Sequence, residues 1–227
     1  MARFDAVFID FYGTIAAGDR LAVETTCAQI VTDLGLTMTP VEFAHLWGRV
    51  FFATADRSNH DRFLNLYECE AASLRETLEP LVGPVDPTPY CDQLKRFWAS
   101  PDLHDDVLDV LAELEMPVCC VSNADTEDLL AAAALHGLRF DAVITSEDVR
   151  SYKPDELIFR RALDRMGVDP RRTLHVGDSL HSDVSGAAKL GITTVWLCRD
   201  GRIFDVGTAS ADHTIASLSE LRAILRS

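Results

Sequence analysis

The sequence predicts an α/β protein, a parallel sheet flanked by helices, with a block of helices inserted early in the chain. Three observations carry this. The apolar run Ala6-Val7-Phe8-Ile9 stops at Asp10, and Gly13 then lets the chain turn sharply beside that carboxylate. From Asp102 onward, runs of strand length alternate with helical periodicity, the pattern of a parallel sheet covered on both faces. Between about Ala16 and Phe97 the alternation is lost and only helical periodicity remains.

The elements follow in order. Residues 21–34, 40–52 and 62–78 read as helices, and Gly83, Pro84, Pro87 and Pro89 punctuate the loop after them. Residues 90–98 read as a helix returning to the sheet. A helix over 105–114 has apolar residues at Val107, Leu108, Val110, Leu111 and Leu114 and ends before Pro117. Val118-Cys119-Cys120-Val121 is a strand, 126–136 a helix closed by Gly137, and 142–145 the next strand. Residues 155–166 form a helix with Pro154 at its first turn and Gly167 as its stop. Leu174-His175-Val176 is a strand, followed by a helix from about Asp183 to Gly191 and a strand over 192–197. Ser217 and Glu220 have capping-box spacing and start the last helix.

Composition narrows the function classes. The 227 residues are 48% hydrophobic and 25% charged, an ordinary globular balance that suits one core domain with a smaller insert. A net charge of −15, from 21 Lys+Arg against 36 Asp+Glu, weighs against a nucleic-acid backbone or an anionic membrane as partner. That field also repels phosphate, so a phosphate ester would need a local cation, which leads us to expect a metal. No apolar run has the length of a membrane span and the first strand begins without a signal-peptide core, so a cytoplasmic protein is expected. Cys27, Cys69, Cys91, Cys119, Cys120 and Cys198 lack C-x-x-C spacing and read as reduced core residues.

Asp10 alone reads as a turn residue. Three further segments change that reading: Ser122-Asn123 at the end of a strand, Tyr152-Lys153-Pro154, and Gly177-Asp178-Ser179 with Asp183 five residues after Asp178. In this order the four segments resemble the haloacid-dehalogenase-like hydrolases, a superfamily that is mostly phosphatases, and the likeness spans nearly the whole chain. The resemblance implies a Rossmann-like core domain over 1–15 and 98–227, and an all-helical cap domain over 16–97 that closes over the active site. Gly83 to Pro89 is expected as one connection of that cap, with the residues after Thr14 as the other.

The resemblance also assigns roles. Asp10 is the nucleophile, forming an aspartyl-phosphate. Asp10, Asp178 and the backbone carbonyl of Tyr12 match the family's Mg²⁺ ligands. Thr14, Ser122, Lys153 and the amides around Asn123 would bind the phosphoryl oxygens, while Asp183 would orient Lys153 or a metal-bound water. On residue type alone, Ser122 reads as a helix N-cap, Lys153 as a solvated lysine at a helix start, and Asp183 as a helix cap. The expected partner is a small phosphorylated molecule, with no nucleic acid and no membrane, bound by a monomer or homodimer.

Tyr12 departs from the pattern. Phosphatases of this family place a second aspartate there as acid and base, and a phenol with a pKa of about 10 is a poor base near neutrality. Tyrosine at this position resembles the family's 2-haloacid dehalogenases, in which halide leaves without a proton. Asp178 points the other way, since those dehalogenases dispense with the metal and carry a small uncharged residue there. They also bind the haloacid with a cap arginine, for which Arg49 is a loose candidate. Arg49, Arg57, His60 and Arg62 otherwise read as solvated surface. A phosphoaspartate receiver module fits poorly because of the helical insert, and a ligand-binding protein with a lost acid/base remains open. The reading favoured is a Mg²⁺-dependent phosphatase, with dehalogenase as the alternative.

Overall fold

The computed structural model describes residues 3–199 and 209–226. The chain enters on β1 (Ala6–Ile9), passes a two-residue strand β2 (Ala16–Ala17), and then builds α1 (Asp19–Asp33), α2 (Pro40–Arg57), α3 (Leu66–Val82) and α4 (Thr88–Ala99). A second short strand, β3 (Asp102–Leu103), leads to α5 (Val107–Glu113), β4 (Val118–Ser122), α6 (Thr126–Leu135) and β5 (Ala142–Thr145). Then come α7 (Ser146–Val149), α8 (Glu156–Met166), β6 (Thr173–Gly177), α9 (Ser185–Ala188), β7 (Thr193–Leu197), β8 (His213–Ile215) and α10 (Leu221–Leu225).

The six-stranded sheet is parallel throughout, in the order β5-β4-β1-β6-β7-β8. The chain builds outward from β1 to β5 and then crosses back to β6, so β1 lies at the switch point, where open α/β sheets form a crevice beyond the strand ends. Both faces of β1 are covered. Val7 and Ile9 pack with Leu129 of α6 and Leu221 of α10, whereas Ala6 and Phe8 pack with Ile158 and Phe159 of α8. A short strand buried on both sides reads as a continuous apolar run, which is why the β1 signal is clear in the sequence. Ile9 pairs with Cys120 on one side and Val176 on the other, so Asp10, Ser122 and Asp178 emerge together at the same edge of the sheet.

Helices α1 to α4 have a core of their own, in which Cys27, Ile30, Phe43, Trp47, Leu74 and Leu94 meet. Two capping boxes fix their starts, Thr39 with Glu42 and Asn65 with Glu68. The second corrects the expected helix over 62–78: Asn65 begins α3 at Leu66, and Arg62 lies in a separate single turn, His60–Arg62. Gly83 to Pro89 is not a connection to the sheet domain. It joins α3 to α4, because α4 contributes Tyr90, Cys91 and Leu94 to the core of the helical block. The two chain crossings instead pair with each other as β2 and β3, antiparallel, with Ala16 opposite Leu103.

Two further differences concern helix starts. Leu180–Val184 is a π-helical turn ahead of α9, and Pro154 precedes the cap residue Asp155 of α8 instead of lying within its first turn. The Ser217/Glu220 capping box is present and opens a single turn, Leu218–Glu220, before α10.

Candidate active site

Four strand ends and loops converge beyond β1. Asp10 is buried, and one carboxylate oxygen, Oδ1, accepts from Ser122 Oγ at 2.9 Å and from Lys153 Nζ at 2.6 Å. Lys153 also donates to Asp183 Oδ1 at 2.6 Å and to the Val121 carbonyl at 3.0 Å, so all three ammonium protons have acceptors. Its backbone is fixed in turn by Asn123, whose side-chain carbonyl accepts from Lys153 N at 2.7 Å and whose amide donates to Lys153 O at 3.1 Å. Burial alone would lower the lysine pKa, but Asp10 and Asp183 outweigh it and hold the ammonium charged, above its ordinary value.

The two carboxylates on this lysine differ. Burial pushes Asp10 upward, opposed by Lys153 and reinforced by the charge of Asp183. Burial would raise Asp183 too, but Lys153 and His175 overcome it and bring its pKa well below the usual carboxylate range. His175 Nε2 lies 2.9 Å from Asp183 Oδ1, and the Ser179 amide donates to Oδ2 at 3.1 Å. Asp183 is thus held from both oxygens, and a Cβ at Gly177 would occupy the space of its carboxylate.

Asp178 follows β6 and approaches the turn after β1. Gly13 has φ +83°, and a Cβ there would collide with the Asp178 carboxylate, so glycine is needed both for the turn and for this approach. Asp10, Asp178 and Asp183 are all buried, and each offers a carboxylate oxygen within 4.8 Å of the others. Three oxygen donors at this spacing could hold a hard divalent cation.

Tyr12 lines the same cavity, but its hydroxyl donates to the Trp98 carbonyl at 2.7 Å, and its ring packs edge-on against Phe11 and Trp98, with centroids 5.0 Å apart in each case. Burial pushes the phenol pKa upward. The side chain that stands where the family's phosphatases carry their acid and base therefore ties the β1 loop to α4 and keeps its proton. Thr14 is fully buried, its hydroxyl has no partner, and it is not among the residues that line the cavity. Thr14 sits in the tight turn after Gly13, closed by Ile15 N and Ala16 N on the Phe11 carbonyl.

The cavity encloses about 290 Å³ between this polar floor and the helical block. Trp47, Phe51, Phe52, Leu66, Leu94 and Trp98 supply most of its upper wall. Lys153 is the one lysine or arginine among the described residues that line it. Arg49, Arg57, His60 and Arg62 are exposed and lie outside it, as the surface reading expects. Bonds across the cleft hold it closed. Asp125 accepts from Leu66 N at 2.6 Å and Tyr67 N at 3.2 Å, the Tyr152 hydroxyl donates to Leu64 O at 2.9 Å, and Lys95 pairs with Asp128 at 3.3 Å.

Two site residues escape sequence reasoning. His175 interrupts an otherwise apolar strand and touches Asp183. Glu70 lies on α3 at helical spacing from Leu66, Ser73 and Leu74, all on the buried face. Each signal is one polar residue on an apolar face, which by itself is compatible with many roles.

The model of the haloacid dehalogenase-like hydrolase family matches residues 4–191. Among curated relatives, the chain is 28% identical over 163 residues to the N-acylneuraminate-9-phosphatase of Mus musculus, a match covering 67% of this chain and 65% of that protein. It is 26% identical over 224 residues to the (S)-2-haloacid dehalogenase of Pseudomonas sp. (strain YL), covering 96% and 93% respectively. The L-2-haloacid dehalogenase of Xanthobacter autotrophicus shares the fold, with a TM-score of 0.79 at 20% identity over 98% of both chains.

Proposed function

Because the chain belongs to the haloacid dehalogenase-like hydrolases, we propose that it is a Mg²⁺-dependent phosphatase acting on a small phosphorylated metabolite through an aspartyl-phosphate at Asp10. The observation that carries this is the pairing of Asp178 with Asp10 and Asp183. Three buried carboxylates against one ammonium leave an excess of negative charge where an anionic substrate must enter. A divalent cation would offset that excess and an oxygen-only donor set suits Mg²⁺, which Asp10, Asp178 and the Tyr12 carbonyl would hold. When bound, it supplies positive charge to the phosphoryl oxygens.

The chain's own residues do the rest. Ser122 and Lys153 hold one oxygen of Asp10, which orients the other toward phosphorus. Asp183 and Asn123 position Lys153, whose charge faces the phosphoryl group. The aromatic wall above excludes bulk water and strengthens these interactions. Tyr12 retains its proton and serves no base role, and Asp183, held at both oxygens and ionised, is a weak base as well.

A second reading, hydrolytic 2-haloacid dehalogenase, is favoured by Tyr12 and by the nearly full-length match to such enzymes. Against it, no arginine lines the cavity among the described residues to receive a haloacid carboxylate. Phosphorylated metabolites assayed beside 2-chloropropionate, with and without chelator, separate the two. Chelator-sensitive phosphate release is expected, and chelator-insensitive chloride release overturns the phosphatase reading. The proposal extends to a cytoplasmic protein, a monomer or homodimer without nucleic-acid or membrane partners. Six free thiols and the absence, among the described residues, of any helix long and apolar enough to cross a membrane are compatible with it.

A further inference from the structure

Of the three acidic residues that the helical block adds to the cavity lining, Asp19, Asp56 and Glu70, only Glu70 is buried, and the chemistry at Asp10 does not use it. It is 4% exposed, and Oε1 accepts from Trp98 Nε1 at 2.8 Å, but Oε2 has no hydrogen-bond partner. Its neighbours on α3 are satisfied: Ser73 and Thr77 donate to carbonyls of their own helix, and Trp47 Nε1 donates to Ser73 Oγ at 2.9 Å. A buried carboxyl with one idle oxygen is costly, and a purely structural partner for Trp98 needs no second oxygen.

We infer that Glu70 selects the leaving group, taking a phosphate monoester whose alcohol carries a protonated amine, with the ammonium against the Glu70 carboxylate and the aromatic wall beside it. The inference rests on the phosphatase reading for the ester and on Glu70 alone for the amine. Among the described residues, the two lysines nearest the site are committed elsewhere. Lys153 has its protons committed to Asp10, Asp183 and Val121, and Lys95 is paired with Asp128. Trp47, Phe51 and Trp98 line the same cavity, aromatic rings attract cations, and Asp19 and Asp56 add negative charge to the lining. Burial, with the charges of Asp125 and Asp128 added, pushes Glu70 up to about 8 against the opposing effects of Trp98 and Lys95. A bound ammonium would relieve that cost.

The test compares aminobutyl phosphate with its neutral isostere pentyl phosphate, using the full chain with Mg²⁺, wild type and Glu70→Gln. The amine ester should be preferred by at least about tenfold in kcat/KM, and the preference should collapse in Glu70→Gln. In parallel, butylamine and butanol are titrated by calorimetry into the metal-free wild-type protein, where the amine alone should bind measurably. Ester turnover without preference, or equal or undetectable binding of the two small molecules, overturns the inference and leaves the phosphatase reading standing. Selective amine binding without turnover of any ester does the reverse. A preference that persists in folded Glu70→Gln also overturns the inference, and if that variant fails to fold, Asp19→Asn and Asp56→Asn decide: both should keep the preference, and its loss in either overturns the inference.

Discussion

Replacing Tyr12 with aspartate should convert a slow phosphoenzyme hydrolase into a faster one. In the wild type the phenol is protonated, raised by burial, and donates its proton to the Trp98 carbonyl, so nothing at this position activates water. Phosphoenzyme at Asp10 should therefore accumulate before the steady state. A positioned acid/base contributes about 10²–10⁴-fold, so dephosphorylation should rise by at least about tenfold in Tyr12→Asp even from an imperfectly placed carboxylate. The variant also loses a hydrogen bond and two edge-on aromatic contacts, together about 2–4 kcal/mol, which sets the expected loss of stability. Tyr12→Phe separates the two effects, since it removes the hydroxyl, costs about 1 kcal/mol and gives no acceleration. Rapid-quench measurement of the phosphoenzyme, beside thermal melts, checks this. If wild type shows no burst and Tyr12→Asp hydrolyses no faster, another group activates water and the reasoning fails.

Gly13→Ala should lose activity and cost about 1–3 kcal/mol, because the new methyl meets the Asp178 carboxylate at a positive φ; melts and phosphatase assays on the variant test it. Mg²⁺ at about a hundred times its Kd should add about 2.7 kcal/mol, or about 5–10 °C in Tm, and Asp178→Asn should abolish that shift without reference to turnover. Asp106 is burdened by desolvation, yet Arg199, Ser217 and Leu218 overcome it and bring its pKa to about 2. A pKa lowered on folding stabilises above the unfolded value near 4 and loses that effect as pH falls through about 2, so Asp106→Asn should cost about 2 kcal/mol at neutral pH and almost nothing near pH 2. Denaturant titrations across that range are the measurement, and a constant difference would count against the ion pair as its origin.

Some of this molecule is legible in its residues one stretch at a time. The apolar runs ending at Asp10, Ser122 and Gly177, the glycine stops at Gly137 and Gly167, and the capping residues Ser217 and Glu220 all report local backbone geometry, which depends on near neighbours. The resemblance carried by those strand ends identified the family. Other features depend on residues far apart in sequence, where no periodicity operates. Lys153 meets Asp10 across 143 positions, and Tyr12 meets Trp98 across 86. The pairing of β2 with β3, which replaces the expected connection at Gly83 to Pro89, exists only because two chain crossings lie side by side. Thr14 is left with a buried, unpartnered hydroxyl, and Glu70 becomes a candidate for recognition only once Trp98 satisfies one of its oxygens and leaves the other idle. The chain encodes which groups can do chemistry, and packing of the helical block onto the sheet decides which of them share a cavity.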